Sequence, residues 1–231
     1  KVMFEKISSI ITKLGLEEGT SKCRLRPIHC LDICNIIGEN VVVGGVRRTA
    51  EVGIIDCADQ ECIQAKSQLY AINEQNQWIE NREISHRKLS NNSIFYEARP
   101  TREQLHWQIT QMKLSGEPGF INAQAARKRR ADFEGVNPCA EILLRDRGLC
   151  NLTTLNVAAF VHEGRLELER LLEAQGLSVR AGLRMTCLDL ELHEWDRVQK
   201  QDRLLGISLT GWQDAMSSLG YSEQQEIELL K

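Results

Sequence analysis

A parallel-sheet α/β fold is what this sequence predicts. Short apolar runs of strand type recur along the chain, and segments with helical spacing separate them. No internal repeat, low-complexity stretch or clear linker divides the length. One domain, or part of one, over residues 1–231 is the simplest organisation.

The elements follow in order. Phe4, Ile7, Ile10, Ile11 and Leu14 recur at helical spacing, with Gly15 as the stop. Pro27 suits the first turn of a second helix through Gly38, which should bury Leu31, Cys34 and Ile37. Val41–Val46 is an apolar run broken by Gly44-Gly45, Ala50–Ile55 reads as a strand, and residues 57–66 look helical. Residues 72–92 are polar and weakly periodic, which predicts a long loop of the kind that often carries function. Ser93–Tyr96 reads as a buried strand. Thr101 and Gln104 form a capping box that opens a helix to about Leu114. A turn at Gly116–Gly119, a short strand at Phe120-Ile121 and a basic helix Ala123–Arg130 come next. Residues 135–156 read as extended, interrupted at Arg145–Gly148. An amphipathic helix Leu166–Gly182, a strand Leu204–Leu209 and a helix from Thr210-Gly211 through Leu219 complete the reading.

Composition narrows the function. The chain is 42% hydrophobic and 26% charged, enough for one substantial core. A net charge of −3 excludes a surface that is basic throughout, so neither nucleic acid nor an anionic membrane is the expected partner, and any phosphate must be held by a local cluster of donors. No apolar stretch approaches the roughly 20 residues that span a bilayer, and no secretory signal opens the chain, so a cytoplasmic location is expected. The start lacks Met and the end falls inside a helical pattern, so the chain is expected to be an internal fragment, incomplete at both ends.

Eight cysteines occur: Cys23, Cys30, Cys34, Cys57, Cys62, Cys139, Cys150 and Cys187. Cys30 and Cys34 lie one helical turn apart, and Cys57 and Cys62 enclose four residues. No compact Cys-x-x-Cys or His-x₃₋₅-His pair completes a zinc site, so packing is the expectation for these four and no metal is predicted. Asn137-Pro138-Cys139-Ala140-Glu141 is different. Pro138 pushes Asn137 into an extended conformation, and on an extended chain residues two apart point the same way. Asn137, Cys139 and Glu141 then face one space: an amide to orient a hydroxyl, a sulfur centre, and an acid/base group. Cys150 lies 11 residues after Cys139, past a plausible turn at Arg145–Gly148, and approaches the same cavity if the chain doubles back.

Asn137–Glu141 followed by Cys150-Asn151-Leu152 resembles the active-site signature of ribonucleotide reductases. Val43–Glu51, His86–Ser93, Ser115–Gly119 and Asp202–Asp214 resemble, in the same order, the adenosylcobalamin-dependent, monomeric ribonucleoside-triphosphate reductases. The resemblance implies part of a ten-stranded α/β barrel with the radical cysteine on a central loop. It implies that Cys139 becomes a thiyl radical and removes the 3′ hydrogen of the ribose, that Glu141 takes the 3′-hydroxyl proton, and that Asn137 hydrogen-bonds near the reacting sugar. Cys150 is then one member of the dithiol that supplies electrons as the 2′-hydroxyl leaves as water; its partner lies, in family members, upstream of the matched region.

A ribonucleoside triphosphate substrate, a deoxynucleotide effector, a thioredoxin-like reductant and adenosylcobalamin complete the implied set. The resemblance also places Arg82, His86, Arg87, Lys88, Ser90 and Asn91 on the loop that links effector to substrate choice; a solvated loop with ordinary surface charges is the competing expectation. Gly44-Gly45 before Arg47-Arg48 reads more simply as a turn than as a nucleotide contact, and Lys128–Arg130 as a solvated helix face. Two rival functions share the motif: a large-subunit fragment of an oxygen-dependent ribonucleoside-diphosphate reductase, and a nucleotide-binding module that has lost catalysis. The intact set Asn137, Cys139, Glu141 and Cys150 argues against the second.

Overall fold

The computed structural model describes residues 1–18, 24–43, 46–47 and 49–230. The expectations placed on Gly44, Gly45, Arg48 and Cys23 lie outside those residues. Two compact units, Lys1–Leu143 and Leu144–Lys231, make up the chain, and each contains parallel strands. This agrees with the predicted α/β class; among the described residues the strands do not close into a barrel.

The first unit begins with α1 (Val2–Glu18) and α2 (Pro27–Glu39), then an antiparallel pair, β1 (Val42–Val43) and β2 (Val46–Arg47). There follow β3 (Glu51–Asp56), α3 (Gln60–Ile63), β4 (Tyr70–Ile72), β5 (Trp78–Glu80), a 3₁₀ segment Arg82–Leu89 and β6 (Ser90–Tyr96). Next come α4 (Arg102–Met112), β7 (Gly119–Asn122), α5 (Ala123–Arg129) and β8 (Gly135–Val136); β9 (Leu143–Leu144) falls at the unit boundary. The sheet runs in the order β3-β6-β7, all parallel, with Ile55 beside Ile94 and Phe95 beside Ile121.

Several expectations need correction. Helix α1 runs through Gly15 to Glu18; one glycine inside a helix costs only about 1 kcal/mol. Residues 57–66 hold a single helical turn, α3, capped by the Asp59 carboxylate accepting from Cys62 N at 3.0 Å. The loop foreseen over 72–92 is ordered structure. Asn73 Oδ1 accepts from the backbone N–H of Gln75 and Gln77, at 3.1 and 2.8 Å, and closes the β4–β5 hairpin. Tyr70 and Trp78 pack edge to face across it, 6.2 Å apart. A polar Asx turn this tight leaves no apolar period to read.

The α2 face is also rotated from the expected one. Ile28, Asp32, Asn35 and Ile36 are buried, whereas Cys34 and Ile37 are exposed. A buried aspartate inverts the usual rule that carboxylates stay in water, and its partners explain it. Arg87 donates from Nε to Asp32 Oδ1 at 2.6 Å and from Nη2 to Oδ2 at 2.7 Å; His86 Nε2 lies 2.9 Å from Oδ1. The two-pronged guanidinium–carboxylate pair is the strong geometry for such a contact. Arg87 Nη1 also donates to Ala65 O at 2.9 Å, so α2, the end of the α3 turn and the 3₁₀ segment are tied together at one point.

The second unit starts with β10 (Asn151–Asn156), a 3₁₀ turn Val157–Phe160 and the antiparallel pair β11 (Val161–His162) and β12 (Arg165–Leu166). Then come α6 (Leu168–Met185), α7 (His193–Asp202), β13 (Leu205–Thr210), α8 (Trp212–Leu219) and α9 (Glu223–Leu229). Strands β10 and β13 pair in parallel from Asn151–Leu205 to Asn156–Thr210. Helix α6 crosses this pair, with Ser178 Oγ donating to Thr153 Oγ1 at 2.7 Å. Val157, Leu171, Ala215 and Met216 form the core. Helix α7 was not foreseen: its sequence is polar apart from Trp195 and Val198, and only Val198 and Gln199 are buried. No helix among the described residues is long and apolar enough to cross a membrane.

Removing the Asp32 carboxylate leaves Arg87 with an uncompensated, largely buried charge. Asp32→Ala should therefore cost about 3 kcal/mol in chemical denaturation. Burial pushes the Asp32 carboxyl up, but the Arg87 and His86 contacts outweigh it and hold the group below its ordinary 3.8. A depressed carboxylate contributes stability that is complete above the ordinary value and is lost as pH falls through the lower, folded one. The wild-type denaturation midpoint should drop on acidification below about pH 4, and the Asp32→Asn curve should lack that component.

Candidate active site

Strand β6 alternates its side chains between two cores. Ile94 and Tyr96 pack with Ile28, Ile55, Cys62 and Ile63 on one face. Phe95 points the other way, into Ile121, Ala123, Ala126, Phe133 and Val136, with Val52 and Leu143 against them. The Phe133 ring stacks on Phe95, centroids 5.8 Å apart and planes 11° from parallel. Segment 133–143 is therefore held against the sheet by both of its arms, and Arg130 Nη1 fastens the second arm by donating to Leu143 O at 3.3 Å.

Between those arms lies the motif. The expected extended run is a tight turn instead. Ala140 N donates to Asn137 O at 2.8 Å, and Asn137 N to Ile142 O at 3.3 Å, so the backbone folds back at Pro138-Cys139. Proline has a φ suited to the second residue of such a turn, and Ala140 takes φ +65°, the left-handed region. Extended geometry at Asn137 and reversal just after it are compatible: the proline restricts the residue before it, not those that follow.

The turn still brings two of the three predicted groups together, by a different route. Asn137 Nδ2 donates to Glu141 Oε1 at 2.6 Å, while Asn137 Oδ1 accepts from Ile142 N at 3.0 Å. Cys139 is exposed between them in sequence. A hydroxyl brought to this turn meets a carboxylate able to accept its proton and an amide able to donate or accept, with a thiol on the same turn. Cys150 belongs to the second unit. It immediately precedes β10, is partly buried, and its Sγ lies 3.7 Å from Asn151 O.

The six residues of the expected effector loop separate into distinct roles. His86 and Arg87 converge on Asp32, and three nitrogens of Arg87 are already engaged there and at Ala65. Lys88 Nζ donates to Glu80 Oε1 at 2.7 Å, and this pairing raises the lysine's pKa. Ser90 is buried, its Oγ donating to Asn92 Oδ1 at 3.0 Å. Asn91 Nδ2 donates to Pro138 O at 2.6 Å. Arg82 is exposed, its carbonyl accepting from Ser85 Oγ at 3.1 Å.

Sequence reasoning missed Asp32, Lys66 and Glu117. Buried Lys66 donates to Ser90 O and, at 2.7 Å, to Glu117 Oε2, which also accepts from Asn92 N at 2.7 Å. Asp32 had a signal, since it interrupts the apolar stripe of α2 at helical spacing from Ile28 and Ile36. Lys66 had none, because its partner is 51 residues away.

Among the other cysteines the expected packing describes Cys62 alone; Cys30, Cys34 and Cys57 are exposed. Desolvation and the neighbouring Asp59 push the Cys62 thiol up to about 12. Lys128 and Arg129 are exposed, as a solvated helix face requires, but Arg130, just past the end of α5, is partly buried and turned inward to Asp132 and Leu143 O.

A family model described as "Ribonucleotide reductase, barrel domain" matches residues 68–228. The chain belongs to the ribonucleotide reductase barrel-domain family. It is similar to the adenosylcobalamin-dependent ribonucleoside-triphosphate reductases of Lactobacillus acidophilus, 30% identical over 213 residues, and Lacticaseibacillus paracasei, 30% identical over 205 residues. These alignments take in 85% and 82% of this chain, and 26% and 25% of the relatives. The chain thus spans about a quarter of the length of the curated relatives it matches. The matched part of this reductase barrel-domain chain contains the Cys139 turn, Glu117 and β6; Asp32 and Lys66 lie before it.

Alkylation of the reductase barrel-domain chain with iodoacetamide at pH 8, followed by peptide mass spectrometry, should label Cys139 quickly and Cys62 at least about 100-fold more slowly, since a thiol titrating near 12 is almost wholly protonated there. Comparable rates at the two sites would contradict this arrangement of the turn and core.

Proposed function

We propose that this chain is a catalytic-barrel segment of an adenosylcobalamin-dependent ribonucleoside-triphosphate reductase, with residues 1–231 forming one part of a ten-stranded α/β barrel. The observation that carries the reading is the Asn137–Glu141 hydrogen bond, 2.6 Å, at the base of the turn bearing Cys139, in a member of the reductase barrel family. The names of the relatives supply the substrate class and the cofactor.

The roles follow from the chemistry of each group. Cys139, as a thiyl radical, takes the hydrogen from C3′ of the ribose and becomes a thiol. Glu141 accepts the 3′-hydroxyl proton, and Asn137 holds the carboxylate in line through its amide. The 2′-hydroxyl leaves as water, and a dithiol that includes Cys150 gives up two electrons and two protons to become a disulfide: one proton completes the departing water, the other, with the two electrons, forms the new C2′–H bond, and Glu141 returns its proton to the 3′ oxygen. The hydrogen held on Cys139 then returns to C3′, which restores the thiyl radical and yields the deoxynucleotide.

Adenosylcobalamin, when bound, supplies the radical that oxidises the thiol. The chain's fit to such a group rests on an unobstructed sulfur at the exposed turn, where Cys139 and Ala140 would face it. The disulfide is reduced again by a thioredoxin-like dithiol. Deoxynucleotide effectors act through the region of Arg82, His86, Arg87, Lys88, Ser90 and Asn91, in a monomeric, cytoplasmic enzyme. Because Arg87 is committed to Asp32, its part in that response is to hold the segment rather than to meet phosphate directly.

In the protein that carries this chain, Cys139→Ser should lower deoxynucleotide formation at least about 1,000-fold while adenosylcobalamin binding, followed by its visible absorption, stays within about twofold of wild type. Glu141→Gln should lower kcat by about 100-fold, the usual scale for a lost acid/base group. Turnover that survives Cys139→Ser defeats the proposal.

A further inference from the structure

We infer that Asn91 is a positioning residue for the Cys139 turn, holding it at a fixed place over the sheet through the hydrogen bond from Asn91 Nδ2 to Pro138 O. The inference rests on the reductase reading of Cys139 for its catalytic meaning, but its geometry stands independently. The apolar cluster holds the arms of the 133–143 segment through Phe133, Val136 and Leu143, and Pro138 and Cys139 at its tip are not among the cluster's members. Asn91 supplies the missing constraint. In a strand the side chains of residues 91 and 95 share a face, so the amide extends from the same face as Phe95, toward the turn. It donates to the carbonyl of the residue immediately before Cys139, at 2.6 Å.

The anchor is itself braced. Asn91 lies between Ser90, whose carbonyl accepts from buried Lys66, and Asn92, whose N–H donates to Glu117 Oε2 at 2.7 Å. Lys66 and Glu117 pair at 2.7 Å behind them, with the lysine side chain only 4% exposed. Asn91 is also paired with Val52 of β3, and two residues further on, from Ser93, β6 gains β7 on its other edge. An amide held on so rigid a support transmits its position to the carbonyl it binds, which is what a residue that sets a reacting atom must do.

Two variants in the protein that carries this chain test the role. Asn91→Ala removes the donor; Asn91→Asp keeps the shape but presents an acceptor to the Pro138 carbonyl. Both should speed hydrogen exchange at the Ala140 and Ile142 amides about fivefold, the scale of one lost hydrogen bond, with Ile94 and Phe95 unchanged. Both should lower kcat about tenfold with KM within about twofold, because misplacement at the reacting atom costs rate rather than binding. Unchanged exchange in either variant overturns the inference, and so does faster exchange with wild-type kcat while Cys139→Ser is inactive. Turnover that survives Cys139→Ser removes the reductase reading and this role with it, while the exchange result still reports whether the bond forms.

Discussion

Strand β6 is held on both edges and both faces: β3 pairs with it from Ser90 to Phe95, β7 takes the other edge from Ser93 to Tyr96, and a separate core covers each face. A strand so enclosed cannot slip: a shift by one residue would exchange Ile94 and Tyr96 with Phe95 and send every side chain into the wrong core. That fixed register gives meaning to the positions of Ser90, Asn91 and Asn92 at its start. Two of them accept or donate backbone contacts to the Lys66–Glu117 pair, and the third reaches the cysteine turn. The polar cluster at the head of the strand depends on the apolar packing along its length.

The cost of burying charge explains much of the first unit. Asp32 and Lys66 are both taken out of water, a loss that only close, well-aligned partners offset. Each has them, and each partner comes from a distant part of the sequence: Arg87 and His86 for Asp32, Glu117 for Lys66. Both pairs bear on the segment from 82 to 92, one on the 3₁₀ turns and the other on the strand that follows. A polar stretch that reads as a loop is thus immobilised by ionic contacts rather than by apolar ones.

That is also where the sequence was legible and where it was not. Elements with a strong period or a definite cap were readable: the Thr101–Gln104 box forms both of its hydrogen bonds, and β3, β6, β7 and β13 lie where strands are predicted. Elements made by polar side chains were not. The Asn73 turn is closed by a side-chain oxygen, helix α7 has only Val198 and Gln199 buried, and the inward face of α2 is decided by Asp32 contacts to His86 and Arg87, which no spacing within α2 reveals. The motif itself was recognisable, but its conformation was not. Proline before cysteine suggested a stretched backbone, and the chain instead reverses there, so that Asn137 meets Glu141 across a turn rather than along a strand.

The parallel pairing of β10 with β13 has a consequence for how the second unit is made. Asn151 pairs with Leu205, and the intervening chain includes two helices and a small hairpin. On a ribosome, the first of these strands emerges long before its mate exists. Until then its backbone N–H and C=O groups are an open ladder, the kind of edge that recruits other extended chains. Closing so long a loop is also slow, since its entropy is lost before the pairing rewards it. The nascent unit therefore passes through an interval in which that strand is shielded by helices already synthesised, α6 through Ser178 and Thr153 and α7 through Gln199, whose Oε1 accepts from Asn151 Nδ2 at 3.4 Å.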